Sequence, residues 1–334
     1  MTALAGTGTV AEASSSRGRI LLRRIASEHL IWLIFLLLAV IGSFLPGFLT
    51  LANLLNLLWG ASPLGFMVVG MFFVMIAARL DLSIEGTFAF APAVGIVAMT
   101  EWPGVNPLVA LLLTVMVGAV VGLVNGLIIV KLKVNAFLVT LATLLTLEGM
   151  VVFLIPEGVY HLPAEYTWLG GTRIFGQWPV AVPVLLLAFI VAHVVMKRTA
   201  FGRNLVGIGN NEEACRIAGV NVNRTLIIAF VLAGICAAIG GILQVGRLFS
   251  IDASMGNGVI LYVFAGATLG GTALNGGRGS ISGLLGAVLV IGTITNLMNL
   301  YGVETSVQQI VFGLVLLGAI LLSSLQDRLR TTQA

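Results

Sequence analysis

Charge is what this 334-residue sequence has least of. Asp, Glu, Lys and Arg together make up 9% of it, about a third of the share that a soluble domain needs to face water. Hydrophobic residues make up 59%, and the mean hydropathy is +1.10. Such a chain cannot cover itself in polar side chains, so its surface must face lipid. Most soluble enzymes, nucleic-acid binders and disordered regulators are thereby excluded. The formal net charge of +4 is no sign of a nucleic-acid partner; what matters is where the positive charges fall.

Cysteine, histidine and lysine are scarce too. Cys215 and Cys236 supply neither a disulfide framework nor metal-ligand spacing, and Cys236 reads as a small buried hydrophobe. His29, His161 and His193 are isolated, so no metal site is expected. Lys131, Lys133 and Lys197 are the only lysines, and none belongs to a Gly-x-x-x-x-Gly-Lys-Ser/Thr phosphate loop. If ATP is used, another chain hydrolyses it. No cluster of catalytic groups gathers at one membrane depth, so neither catalytic residues nor a cofactor is expected on this chain.

What the sequence does have is long apolar runs. Crossing a bilayer core takes about 20 apolar residues. Ten candidate spans cover residues 30–45, 57–78, 83–100, 107–131, 135–155, 179–196, 224–246, 257–274, 279–299 and 305–323, the eighth short and glycine-rich. The reading is an all-α polytopic membrane protein of about ten helices. With the N-terminus inside and the spans alternating, Arg17, Arg19, Arg23, Arg24, Arg79, Lys131, Lys133, Lys197, Arg198, Arg203, Arg216, Arg224, Arg278, Arg328 and Arg330 fall on the cytoplasmic side. Only Arg173 and Arg247 fall outside, the asymmetry the positive-inside rule predicts, with both termini inside. The Arg23-Arg24 pair could suggest an export signal, but no small-residue cleavage site follows. The expected organisation is a cytoplasmic N-terminal segment (1–28), a transmembrane domain (29–325) with a cytoplasmic loop at 197–224, and a cytoplasmic tail (326–334). Residues 156–178, with Trp168 and Trp178, read as an external loop with interfacial aromatics.

An internal repeat is suggested by Gly122-Leu-Val-Asn125-Gly126 in span 4 and Gly292-Thr-Ile-Thr-Asn296 in span 9. If spans 2–5 correspond to spans 7–10, the odd offset turns the second half upside down, an arrangement common in transporters. Gly118, Gly122 and Gly126 form a double Gly-x-x-x-Gly, read as close helix packing within one bundle rather than a subunit interface. Acids beside or within the spans are costly unless they face a cavity or a partner. Asp81 reads as a lining or gating residue at a break between spans 2 and 3, or as one half of an Arg79–Asp81 surface pair, or as a cap of span 3 to which Ser83 is an alternative. Glu85 follows them, and Glu148 inside span 5 reads as a polar contact rather than a proton carrier. Asn53, Asn56, Asn125, Thr143, Thr146, Gln244, Asn296, Asn299, Gln308 and Gln309 suit a neutral polar cargo better than an ion path, though each alone can be interhelical glue.

The sharpest local feature is Gly209-Asn-Asn-Glu-Glu-Ala-Cys-Arg-Ile-Ala-Gly219. Asn211 can cap a short helix, Glu212 and Glu213 suit its N-terminal dipole, and Gly219 ends it. The Gly202–Val222 segment resembles the coupling segment of permease subunits of ribose/xylose/galactose-type ABC importers. So do Asp81-Leu82-Ser83 and the fifteen residues Leu269-Gly-Gly-Thr-Ala-Leu-Asn-Gly-Gly-Arg-Gly-Ser-Ile-Ser-Gly283, and the resemblance runs in order over about 30–325.

The resemblance implies a permease that does no chemistry itself, in a bacterial inner membrane. Its implied partners are an ATP-binding subunit carrying ATP-Mg, a periplasmic solute-binding protein and a second permease, identical or paralogous. Asn211, Glu212, Glu213, Ala214, Arg216 and Gly219 become the ATPase-coupling candidates. Asp81, Ser83, Glu85, Asn125, Glu148, Asn275 and Asn296 become candidates for the translocation path or gate. The expected cargo is a monosaccharide or related polyol. Arg79-Leu80 and Ile84-Glu85 depart from the family's usual Gly-Ile and Val-Gly around Asp-Leu-Ser, which leaves that cargo open. A proton-coupled secondary transporter, or an importer of a nucleoside, autoinducer or branched-chain amino acid, remains an alternative.

Overall fold

A computed structural model describes residues 30–318 apart from 103, 305 and 316. The expected N-terminal segment (1–28) and tail (326–334) lie outside the described residues, as do Arg17, Arg19, Arg23, Arg24, Arg328 and Arg330. Every expected span position holds an apolar helix. Seven are long and apolar enough to cross a membrane: α2 (Leu51–Met75), α3 (Ser83–Glu101), α4 (Pro107–Leu132), α5 (Ala136–Leu154), α7 (Ala181–Arg198), α10 (Val222–Leu248) and α12 (Ile281–Leu300). Three are shorter: α1 (Leu30–Ser43), α11 (Val259–Leu269) and α13 (Ser306–Val315).

The starts of the long helices are local chemistry. Asn106, Asn135, Asn221 and Ser280 each accept a hydrogen bond from a first-turn amide, at Leu108, Phe137, Arg224 and Gly283, satisfying donors that a helix leaves open. The expected 257–274 span is corrected to the 11-residue α11, which starts after Gly258 and stops at Gly270-Gly271. At 1.5 Å per residue it is about 17 Å long, too short to cross.

Helix α10 is the centre of the bundle and packs on α2, α3, α4 and α6 (Ala164–Gly171). On α4, Gly118 lies against the Gly234 backbone and Gly122 against the Phe230 carbonyl. Side chains at these glycines would push the two backbones apart, so the double Gly-x-x-x-Gly serves packing within the chain. Outward faces are apolar: Leu112 on α4, Phe153 on α5 and Leu187 on α7 are all exposed.

Two long connections carry more structure than expected. Residues 156–178 hold α6 and two-residue strands: Val159–Tyr160 pairs with Ser250–Ile251, and Arg173–Ile174 with Trp178–Pro179. Tyr166 anchors α6, its hydroxyl within 3.0 Å of Thr114 Oγ1. The 197–224 loop is mostly helix, with α8 (Ala200–Asn210) ahead of α9 (Glu212–Ile217). Thr199 caps α8 by accepting from the Gly202 amide, a Thr-x-x-Gly start.

The internal repeat has structural counterparts. Ala78 and Phe249, just beyond α2 and α10, both adopt left-handed backbone conformations. Three residues later Asp81 and Asp252 each accept from the amide and the hydroxyl of a following serine, Ser83 or Ser254. The same sequence spacing relates Asn125 on α4 to Asn296 on α12. Helix α4 packs on α10 as α12 packs on α2, so α2 and α4 correspond to α10 and α12.

Candidate functional site

Three segments distant in sequence meet at the basic end of the bundle. The first is the 76–82 break between α2 and α3. The second is the end of α8 leading into α9, and the third is the glycine turn between α11 and α12. The Gly277 amide donates to the Ile76 carbonyl at 2.8 Å, and Asn210 Nδ2 donates to the Gly277 carbonyl at 3.3 Å. Gly209 sits where any Cβ would collide with the Ile76 carbonyl oxygen and the Gly277 amide. Three backbones touch there because two of the residues lack side chains.

Helix α9 projects from this junction. Asn211 caps it by accepting from the Ala214 amide at 2.9 Å, Glu212 and Glu213 occupy its first turn, and none of its residues is buried. Gly219 lies just past its end with φ +81°, a left-handed conformation that glycine takes without strain. Glu212 joins α9 to the break: Arg79 Nη2 donates to Glu212 Oε2 at 2.6 Å, and Arg216 Nη2 to Oε1 at 2.8 Å. Ile217, absent from the expected set, is 81% exposed. It follows Arg216 at the end of the short helix.

The path candidates divide into separate groups. Asp81, Ser83 and Asn125 form one buried chain. Asp81 accepts from Ser83, the Ser83 hydroxyl accepts from Asn125 Nδ2 at 2.8 Å, and Asn125 Oδ1 accepts from Thr143 at 2.7 Å. This chain ties the break to α4 and α5. Asp81 holds the first turn of α3 while lying at the break; the expected Arg79–Asp81 pair is corrected, because Arg79 reaches across to Glu212 instead. Glu85 does something else. Its carboxylate accepts from the Gly258 and Ile260 amides at 2.6 and 3.0 Å, so it caps the half-length α11 in place of a local N-cap residue. Asn296 pairs with Asn53, each amide donating to the other at 2.9 Å.

Glu148 is half-buried on α5, and its carboxylate lies near enough to that of Glu85 for the two like charges to interact. Asn275 is exposed in the glycine turn, beside the α8–α9 junction rather than with Asn125 or Asn296. Among the described residues, no group of His, Cys, Asp or Glu is placed to hold a metal ion.

The opposite end gathers the two remaining arginines. Arg173 and Arg247 lie over the Trp59 ring at 4.9 and 5.5 Å from its centroid, within cation–π range. Trp59 Nε1 donates to the Gly170 carbonyl at 2.6 Å. Among the described residues, the basic side chains assigned to opposite sides by charge counting thus sit at opposite ends of the bundle.

Residues 53–320 match the family described as branched-chain amino acid transport system / permease component. The chain is 35% identical to the ribose import permease protein RbsC of Escherichia coli strain K12 over 296 residues, covering 87% of this chain and 91% of that one. It is 37% identical to the RbsC of Bacillus subtilis strain 168, covering 86% and 90%. It is 33% identical to the L-arabinose ABC transporter permease protein AraH of Azospirillum brasilense, covering 90% and 87%. The seven apolar crossing helices fit a multi-pass membrane protein, and the chain belongs to the permease-component family of branched-chain amino acid transport systems.

Proposed function

We propose that this chain is the permease subunit of a binding-protein-dependent ABC importer that moves a monosaccharide or related polyol inward, driven by ATP hydrolysis on a partner subunit. One observation carries the reading: an exposed short helix, α9, is joined through Arg79–Glu212 and the Gly209–Ile76–Gly277 contact to the break between two membrane helices. A push on α9 reaches that break through backbone contact and an ion pair. The cargo class follows from the ribose and arabinose permeases that the chain resembles.

In this reading residues 29–325 form the transport domain, flanked by cytoplasmic segments 1–28 and 326–334, in a bacterial inner membrane with both termini inside. Asn211, Glu212, Glu213, Ala214, Arg216 and Gly219 form the docking element for an ATP-binding subunit that holds ATP-Mg. Asp81, Ser83 and Asn125 form the hinge of the gate, with Glu85, Glu148, Asn275 and Asn296 as further path or gate residues. A periplasmic solute-binding protein delivers the cargo, and a second permease, identical or paralogous, completes the path.

The test is mild affinity purification from the native membrane, with co-purifying proteins identified by mass. Recovery of an ATPase bearing Walker motifs together with a solute-binding protein is expected, and ligand screening of the latter names the cargo. The purified chain transporting alone in vesicles without ATP, and stopped by a proton uncoupler, would overturn the reading in favour of a secondary transporter.

A further inference from the structure

A cavity of about 700 Å³ opens on the side of the bundle between α2, α4, α7 and α10. Its walls include Phe73, Leu112, Val115, Ala188, Val191 and Cys236. Among all its lining side chains only the Cys236 thiol and the Trp168 indole carry a polar atom, and neither is charged. Leu112 and Val191 are more than half exposed, so the gap faces sideways out of the bundle. A polar solute has nothing to bind there. Water needs two to four polar partners to occupy a cavity, and an empty gap forfeits dispersion contacts along its walls. In a bilayer the neighbour that fills such a gap is an acyl chain.

One end of this groove is polar. A second cavity of about 790 Å³ shares Leu108 and Trp168 with the first and adds Pro107 and Ala164 beside the polar side chains of Asn106, Glu165 and Thr172. Trp168 therefore stands where the apolar wall gives way to a polar cup, the position an interfacial tryptophan takes in a membrane. Among the described residues no Lys or Arg pairs with Glu165. Its carboxylate disfavours an anionic head group and suits an ammonium. The Asn106 amide oxygen is occupied by the Leu108 amide, which leaves its NH₂ group, with the Thr172 hydroxyl, to donate to phosphate or ester oxygens.

We infer that this groove and cup form a site for a phospholipid with a primary-ammonium head group, its acyl chain between α4 and α7 and its ammonium against Glu165. The inference rests on the chain being embedded in a membrane and is independent of the cargo or its energy source.

The test is native mass spectrometry of the full chain. It would be released in mild detergent from vesicles holding equal phosphatidylethanolamine and phosphatidylglycerol. Wild type is expected to retain phosphatidylethanolamine in preference by about two- to fivefold, the ratio an exposed ion pair produces. Ala188→Phe, which fills the groove, is expected to retain little of either lipid. Glu165→Gln, an exposed change that leaves the groove intact, is expected to keep lipid but lose the preference. Three outcomes would overturn the assignment: wild type carrying no lipid, wild type preferring phosphatidylglycerol, or Glu165→Gln keeping the full preference. Should Ala188→Phe fail to fold, the Glu165→Gln comparison decides by itself. The readout uses no ATPase, so failure of the importer reading would leave it unaffected.

Discussion

The guanidinium of Arg79, four residues beyond the end of α2, donates to the carboxylate of Glu212 in the first turn of α9 at 2.6 Å. The ion pairs of Arg216 with Glu212 and Glu213 are internal to α9, whereas this one joins α9 to the membrane helices. Both partners are about a third exposed, so solvent screens the pair and its share of stability is at most about 1 kcal/mol. Its consequence is expected in coupling. Arg79→Glu and Glu212→Arg singly should lower solute-stimulated ATPase activity of the reconstituted assembly about two- to fivefold. The double exchange should recover most of it. Equal loss in the single and double variants would show that the pair transmits nothing.

Gly209→Ala should be far more damaging than its size suggests. The new Cβ meets two backbones, Ile76 and Gly277, and neither can rotate away. Overpacking of this kind costs about 1–3 kcal/mol, and the loss should show as a lower thermal midpoint and faster proteolysis in the 270–280 turn. Gly149→Ala on α5, where nothing lies within 4 Å of an added Cβ, should leave the midpoint unchanged or raise it slightly, since alanine favours helix.

Asn125 sits between Ser83 and Thr143. Replacing it with Leu removes one of two partners from each hydroxyl, since Ser83 keeps Asp81 and Thr143 keeps the Val139 carbonyl, and should destabilise the purified chain by about 0.5–1.5 kcal/mol for each bond lost. Thr143→Val alone should cost about 0.6 kcal/mol, the average for hydrogen bonds between membrane helices. A double-mutant cycle on the two, read by chemical or thermal unfolding in one detergent, should give a non-additive remainder. Simple additivity would mean that the chain of bonds does not act as a unit.

Helix α9 offers a pair of variants that separate docking from folding. Glu213, with its side chain three-quarters exposed, and Ile217 contribute little to the fold. Glu213→Ala and Ile217→Asp should therefore insert and melt like wild type while losing most solute-stimulated ATPase activity. Gly219→Ala should lose coupling too, but with an added conformational cost of about 1–2 kcal/mol from the left-handed backbone. Full stimulation in both Glu213→Ala and Ile217→Asp would show that the ATPase docks elsewhere.

The features legible in the sequence were those set by neighbours in the chain. Apolar runs placed ten helices, and Asn211 and Gly219 marked the ends of α9, because capping and the left-handed stop are settled within a few residues. Charge counting put Arg173 and Arg247 apart from the other basic residues, and both converge on Trp59. Asparagines 125 and 296 hinted at the repeat, while the Asp-x-Ser pattern shared by Asp81-x-Ser83 and Asp252-x-Ser254 is too short to mark a repeat until both are seen to form the same turn.

Tertiary structure decided the rest. That Glu85 caps α11 from 173 residues away, that α11 is only a half-helix, and that Gly209, Ile76 and Gly277 touch all depend on how the bundle closes. No local pattern encodes those contacts. Hydropathy placed the chain in the membrane residue by residue, whereas the wiring from α9 to the α2–α3 break exists only where distant backbones are brought within contact by packing.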